Sequence, residues 1–267
     1  MSAVIEGGRV RQDERHVAPA PADQPAPKVP WLWVALLVTI ATAVFGIYRW
    51  YQQEYSFTVG LDYFEDEFQV YWMRLFYIQM VVIGVIGAAI VPILWFTRDK
   101  NVAAITPHEE LRRYYWVLSV LAGASILAVF AFGLFVEADA AWHQTTIRDT
   151  DFTPTHIGLF YFAIPAALVG LVFGFVWVHT RLPDFANRIS VPLALMAAGP
   201  ILIMPNLGLN EWGHTFFYAE ELFAAPIHWG FVVLGWALFC IGGFVTQCLN
   251  RMRKLTAISD EERIAAY

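Results

Sequence analysis

Two sets of residues in this chain have the types and spacing of metal ligands. The first is Asp139, His143 and His156; the second is Asn210, His214 and His228. Each set holds two imidazoles and one oxygen-bearing side chain, and its leading pair is spaced i, i+4. On a helix that spacing puts both side chains on one face. Five of the six are strong donors, and four of the chain's seven histidines are among them. Two histidines with one carboxylate and open positions suit non-haem iron, zinc or copper. With Asn in place of Asp, the second set carries less ligand charge and binds a divalent ion more weakly on its own. Glu137, Glu211, Glu220 and Glu221 stand nearby to orient imidazole N–H groups.

The elements that must hold these residues are membrane helices. Of 267 residues, 58% are hydrophobic and only 15% charged, against about 25% charged in ordinary soluble domains. Six windows lack charge: Pro30–Tyr48, Leu75–Thr97, Trp116–Val136, Ile157–Val178, Ile189–Leu209 and Leu222–Leu249. A span needs about 20 apolar residues, so the expected fold is an all-α integral membrane protein with six transmembrane helices, at about 30–50, 69–97, 113–136, 156–179, 189–209 and 222–249. Arg98, Lys100, Arg112, Arg113, Arg181, Arg188, Arg251, Arg253 and Lys254 fall in one set of connections, and an acidic set including Glu54, Glu65, Glu137 and Glu220 in the other. Lys/Arg bias sets orientation, which puts both termini in the cytoplasm and both histidine sets at the external membrane face. The loop 52–68, acidic and aromatic, is expected to cap that face.

The domain division is a disordered Ala/Pro-rich cytoplasmic tail at 1–29, a transmembrane helical domain at 30–255 and a C-terminal cytoplasmic tail at 256–267. The first tail lacks the apolar core and cleavage site of a secretory signal. Cys240 and Cys248 read as buried apolar fillers. The net charge of −6 gives no reason to expect a nucleic-acid partner.

Two other readings of the histidine sets compete. Haem ligation across a bilayer needs both histidines on one span, yet Arg148, Asp149, Asp151 and Pro154 intervene in the first set, and Glu220, Glu221 and Pro226 in the second. Such charges do not belong at mid-membrane depth. Interfacial histidines satisfied by hydrogen bonds are the plainer alternative, weakened by the presence of two matching clusters. His16, His108 and His179 are read as tail or loop histidines without partners.

The segment DAAWHQ…IRDTDFTPTH (139–156), with NLGLNEWGHTF…EELFAAPIHWGFV (206–233), resembles the C subunit of the copper membrane monooxygenases, which include particulate methane, ammonia and hydrocarbon monooxygenases. The resemblance covers about residues 30–255, is specific in those two segments, and is closest in character to the hydrocarbon monooxygenases. It implies copper as the cofactor, with Asp139, His143 and His156 as one site and Asn210, His214 and His228 as a second. It also implies A and B partner subunits in a trimer of heterotrimers within an inner (cytoplasmic or intracytoplasmic) membrane. O2 is the implied co-substrate, a membrane quinol the electron donor, and a small apolar molecule drawn from lipid the substrate. A short-chain alkane or methane is the expected substrate and ammonia the alternative. A non-catalytic membrane scaffold with structural metals is the alternative of a different class.

Overall fold

In a computed structural model the chain is helical, and the described residues are 27–146, 152–199 and 220–256. Six helices organise them: α1 (Trp31–Tyr55), α2 (Asp66–Phe96), α3 (Pro107–Thr145), α4 (Pro154–Arg181), α5 (191–199) and α6 (Glu220–Leu255). The first four are long and apolar enough to cross a membrane. The expected fifth span is described only as far as α5; the sixth falls inside the backbone of α6.

The helix starts follow local chemistry. Thr106 caps α3, its hydroxyl accepting from the Glu109 N–H at 3.3 Å, with Pro107 in the first turn and Glu109 and Glu110 behind it. Pro lacks the N–H that a first turn cannot satisfy, and carboxylates there meet the positive end of the helix dipole. Thr153 caps α4 in the same way, accepting from the His156 N–H at 3.2 Å ahead of Pro154. That helix ends at Leu182, extended before Pro183, as the residue preceding proline must be.

Two of the helices run further than the apolar windows. α1 continues to Tyr55 and α3 to Thr145, so Asp139 and His143 lie on the third membrane helix rather than in a loop beyond it. Hydrogen-bond propagation does not stop where apolar residues do, and the Ala-rich stretch around Asp139 favours helix. α2 and α4 each contain one π-helical turn, Gln69–Met73 and Leu159–Ala163.

Packing pairs α1 with α3, α2 with α4 and α3 with α6. At one end of the bundle, Arg113 bonds to Asp99 (2.5 Å) and to the carbonyl of Arg181 (2.6 Å), Arg181 reaches Thr97, and Arg251 grips Glu110 through two bonds of 2.8 and 2.9 Å. Cys240 and Cys248 are buried and unbridged there, beside Tyr114 and Phe244. His179, expected to lack partners, has two: Nδ1 lies 2.7 Å from the Phe175 carbonyl, and Nε2 accepts the Ser190 N–H at 3.0 Å. Through these bonds the ring anchors the chain leading into α5.

At the opposite end, Gly60 turns the 56–65 loop back over the bundle with φ of 62°. A side chain at Gly60 would collide with the backbone of Phe68. Trp72 Nε1 donates to the Val59 carbonyl at 2.9 Å, so the loop is tied to a cluster of Phe68, Trp72, Met73 and Ile157. The expected cap over this end is therefore an ordered one, built on α2 and the start of α4.

Candidate metal centre

The last turns of α3 and the first turn of α4 meet at the end of the bundle covered by that loop. From α3 comes Asp139; from α4 comes His156, buried to 2% exposure. Asp139 Oδ1 lies 3.4 Å from His156 Nε2 and accepts the Thr155 hydroxyl at 2.7 Å. The imidazole faces Phe160, with ring centroids 4.5 Å apart. Trp142, one turn beyond Asp139, is fully buried and donates its indole N–H to the Ser56 carbonyl at 2.8 Å. That bond ties the end of α3 to the end of α1.

The backbone around His156 is held from two further helices. Gln79 of α2 accepts the Tyr48 hydroxyl at 2.7 Å and donates to the Ile157 carbonyl at 2.8 Å. Gln52 of α1, fully buried, reaches the Pro154 carbonyl at 3.5 Å. Both carbonyls lie in the helical turn ahead of Leu159–Ala163. A π-helical turn disturbs the regular i, i+4 ladder, and a polar side chain from a neighbouring helix is the ordinary means of serving carbonyls beside such a disturbance.

Of the six residues singled out by spacing, Asp139 and His156 are thus brought together. His143 follows Asp139 by one turn of α3, and only its place in that helix is described. Asn210 and His214 lie outside the described residues, and for His228 only its place in α6 is described. Among the described side chains, no group of three or more His, Cys, Asp or Glu converges. Thr155, Gln52, Gln79 and Trp142 also shape the site, and spacing alone does not single them out. An amide such as Gln79 in an otherwise uncharged apolar span was the available signal, since polar groups at that depth need a partner.

The pair can be tested against a metal. Imidazole nitrogen and carboxylate oxygen each bind a zinc-like ion at roughly 2.0–2.1 Å. Two such bonds at a tetrahedral angle separate the donor atoms by about 3.4 Å, which is the separation observed here. Donor type and separation therefore fit a borderline divalent ion or copper.

Fold and site together define an integral membrane protein of long apolar helices with a carboxylate and a buried imidazole paired at one end. The chain belongs to the family of ammonia monooxygenase/methane monooxygenase C subunits, whose model matches residues 15–259. The match begins inside the N-terminal stretch that composition sets apart as a tail. The chain is also 28% identical over 151 residues to an NAD(P)H-quinone oxidoreductase chain 4-2 from a Synechocystis species, covering 54% of this chain and 25% of that protein. The chain thus spans about a quarter of the length of that curated relative, and apolar helices draw on the same few residue types in any membrane protein.

Proposed function

We propose that this chain is the C subunit of a membrane-bound, copper-dependent monooxygenase that inserts one atom of O2 into a small substrate, a short-chain alkane or methane. The observation that carries this reading is the meeting of the part-exposed Asp139 with the buried His156 across two helices, in a chain matched by the family over residues 15–259. The overall balance is RH + O2 + QH2 → ROH + H2O + Q, with a membrane quinol supplying both electrons and both protons. Asp139 and His156 would hold the copper, with His143 as third donor and Asn210, His214 and His228 as a second set. Copper, when bound, supplies the one-electron chemistry that O2 requires.

The chain's own residues do the rest. The Thr153 cap fixes the turn that carries His156, and fixed donors bind without paying to be ordered. Phe160 lies against the His156 ring with centroids 4.5 Å apart, an aromatic wall that suits an apolar substrate arriving from lipid. The basic end of the bundle faces the cytoplasm on the Lys/Arg rule, so the site faces outward. The A and B partner subunits, in a trimer of heterotrimers, complete the enzyme.

Copper content and oxygenase turnover of membranes carrying Asp139→Ala, His143→Ala or Asn210→Ala, against wild type, test the reading. Methane, ethane, propane and ammonia would be offered in competition with a quinol donor present. Loss of copper and turnover in Asp139→Ala and His143→Ala is expected, with an alkane preferred to ammonia. Full copper and full turnover in both variants would leave the first set a feature of the fold only, with catalysis elsewhere in the complex.

A further inference from the structure

We propose that Thr155 is a positioning residue for the Asp139 carboxylate, setting how strongly the site binds its metal. The inference rests on the reading of Asp139 and His156 as ligands and goes beyond it. Thr155 is fully buried, and its hydroxyl donates to Asp139 Oδ1 at 2.7 Å. The same oxygen stands 3.4 Å from Nε2 of the very next residue, His156. Two successive side chains of α4 thus converge on one carboxylate of α3.

Six other Ser and Thr hydroxyls in and beside these helices do something different. Thr97, Ser119, Ser125, Thr145, Thr180 and Thr246 each bond back to the carbonyl four residues earlier, the common habit of Ser and Thr within helices. Thr155 is the second residue of α4, so no helical carbonyl lies four residues behind it, and Thr153 already serves as the cap. Its hydroxyl is free of helix duty and crosses to another helix. A hydroxyl bond of this length into a carboxylate is of the charge-assisted kind. It holds the rotamer of Asp139 while adding no positive charge to compete with a cation, which Lys or Arg would do. Partners that orient metal-binding groups typically change metal affinity about 10–100-fold.

The test uses the complete complex purified from membranes, stripped of copper by a chelator and titrated back against a competing chelator of known affinity. Thr155→Val keeps the shape and removes the hydroxyl; Thr155→Ser keeps the hydroxyl; Asp139→Ala is made alone and combined with Thr155→Val. The expected result is copper binding weakened about 10–100-fold by Thr155→Val, restored by Thr155→Ser, with no added weakening in the Asp139→Ala background. The Cu(II) electron paramagnetic resonance spectrum should move in the Val variant and return in the Ser variant. Wild-type affinity and spectrum in Thr155→Val would overturn the proposal, as would equal weakening with and without Asp139. Failure of both Thr155→Val and Thr155→Ala to assemble, while Thr155→Ser assembles, would make the hydroxyl a folding requirement and also overturn it. Asp139→Ala with an undiminished copper complement would instead bring down the underlying assignment of the ligands.

Discussion

Around His156 the individual residues matter because α1, α2 and α3 all bond to the first turn of α4. A methyl group on Gly158 would strike the amide of Gln52 and come within 3.1 Å of the Tyr48 ring. Gln52 is fully buried, so its amide has no solvent to move into. Gly158→Ala should therefore push the first turn of α4 off α1, at a cost of about 1–3 kcal/mol by the usual scale of overpacking. Thermal inactivation of the complex and its copper retention check this, and unchanged values in both would refute it. The Tyr48–Gln79–Ile157 relay gives a second, graded case. Gln79→Leu strands the Tyr48 hydroxyl, a loss of about 1–3 kcal/mol if left unpaired, and also removes the bond to the Ile157 carbonyl. Tyr48→Phe removes a donor and leaves only the Gln79 oxygen unserved. Gln79→Leu is thus expected to destabilise more than Tyr48→Phe, and the double variant less than the sum, as coupled neighbours do. Additive losses in thermal melts would show that the relay is not one unit.

For the helices, their start matters more to the site than their length. The Thr153 cap satisfies the His156 N–H at 3.2 Å, so Thr153→Ala should cost about 1 kcal/mol and loosen the turn that presents His156. Faster hydrogen exchange at the amides of residues 155–158, with the rest of α4 unchanged, is the expected signature; uniform exchange across the helix would refute it. The helices themselves were legible in the residues, because uncharged windows such as Leu75–Thr97 have few ways to exist outside a membrane. Their ends were less so. Charge at Glu137 and Asp139 looks like a loop by hydropathy, yet α3 carries both before ending at Thr145. The i, i+4 spacing of Asp139 and His143 was the better guide, since it only has meaning on a helix. Pairing of Asp139 with His156 was readable as a shared chemistry. The use of Thr155, Gln52 and Gln79 around them was not, because those roles depend on which helix lies opposite, and hydrophobic pattern alone does not encode that. The π-helical turns at Gln69–Met73 and Leu159–Ala163 likewise leave no mark in composition.

Seen whole, the bundle sorts its chemistry to opposite ends. One end is held by arginines that span helices, most tightly where Arg251 of α6 meets Glu110 of α3, a carboxylate only 2% exposed. Removing one member of a buried pair leaves the other charge uncompensated, at about 3–5 kcal/mol. Glu110→Ala should accordingly lower the melting temperature of the detergent-solubilised complex well beyond Glu110→Gln, which keeps an acceptor for the guanidinium. The other end holds Asp139 and His156 under the loop turned at Gly60. Which end faces outward follows from charge, because arginines and lysines resist transfer across the membrane while carboxylates contribute little. Single cysteines at two exposed positions, Thr58 in the loop over the site and Lys100 in the basic connection, report on this directly. The native Cys240 and Cys248 are buried and add little background. An impermeant maleimide applied to spheroplasts should label Thr58→Cys and spare Lys100→Cys until the cells are opened. The reverse pattern would place the site on the cytoplasmic face, where it would draw on a different supply of metal and the proposed orientation would fall.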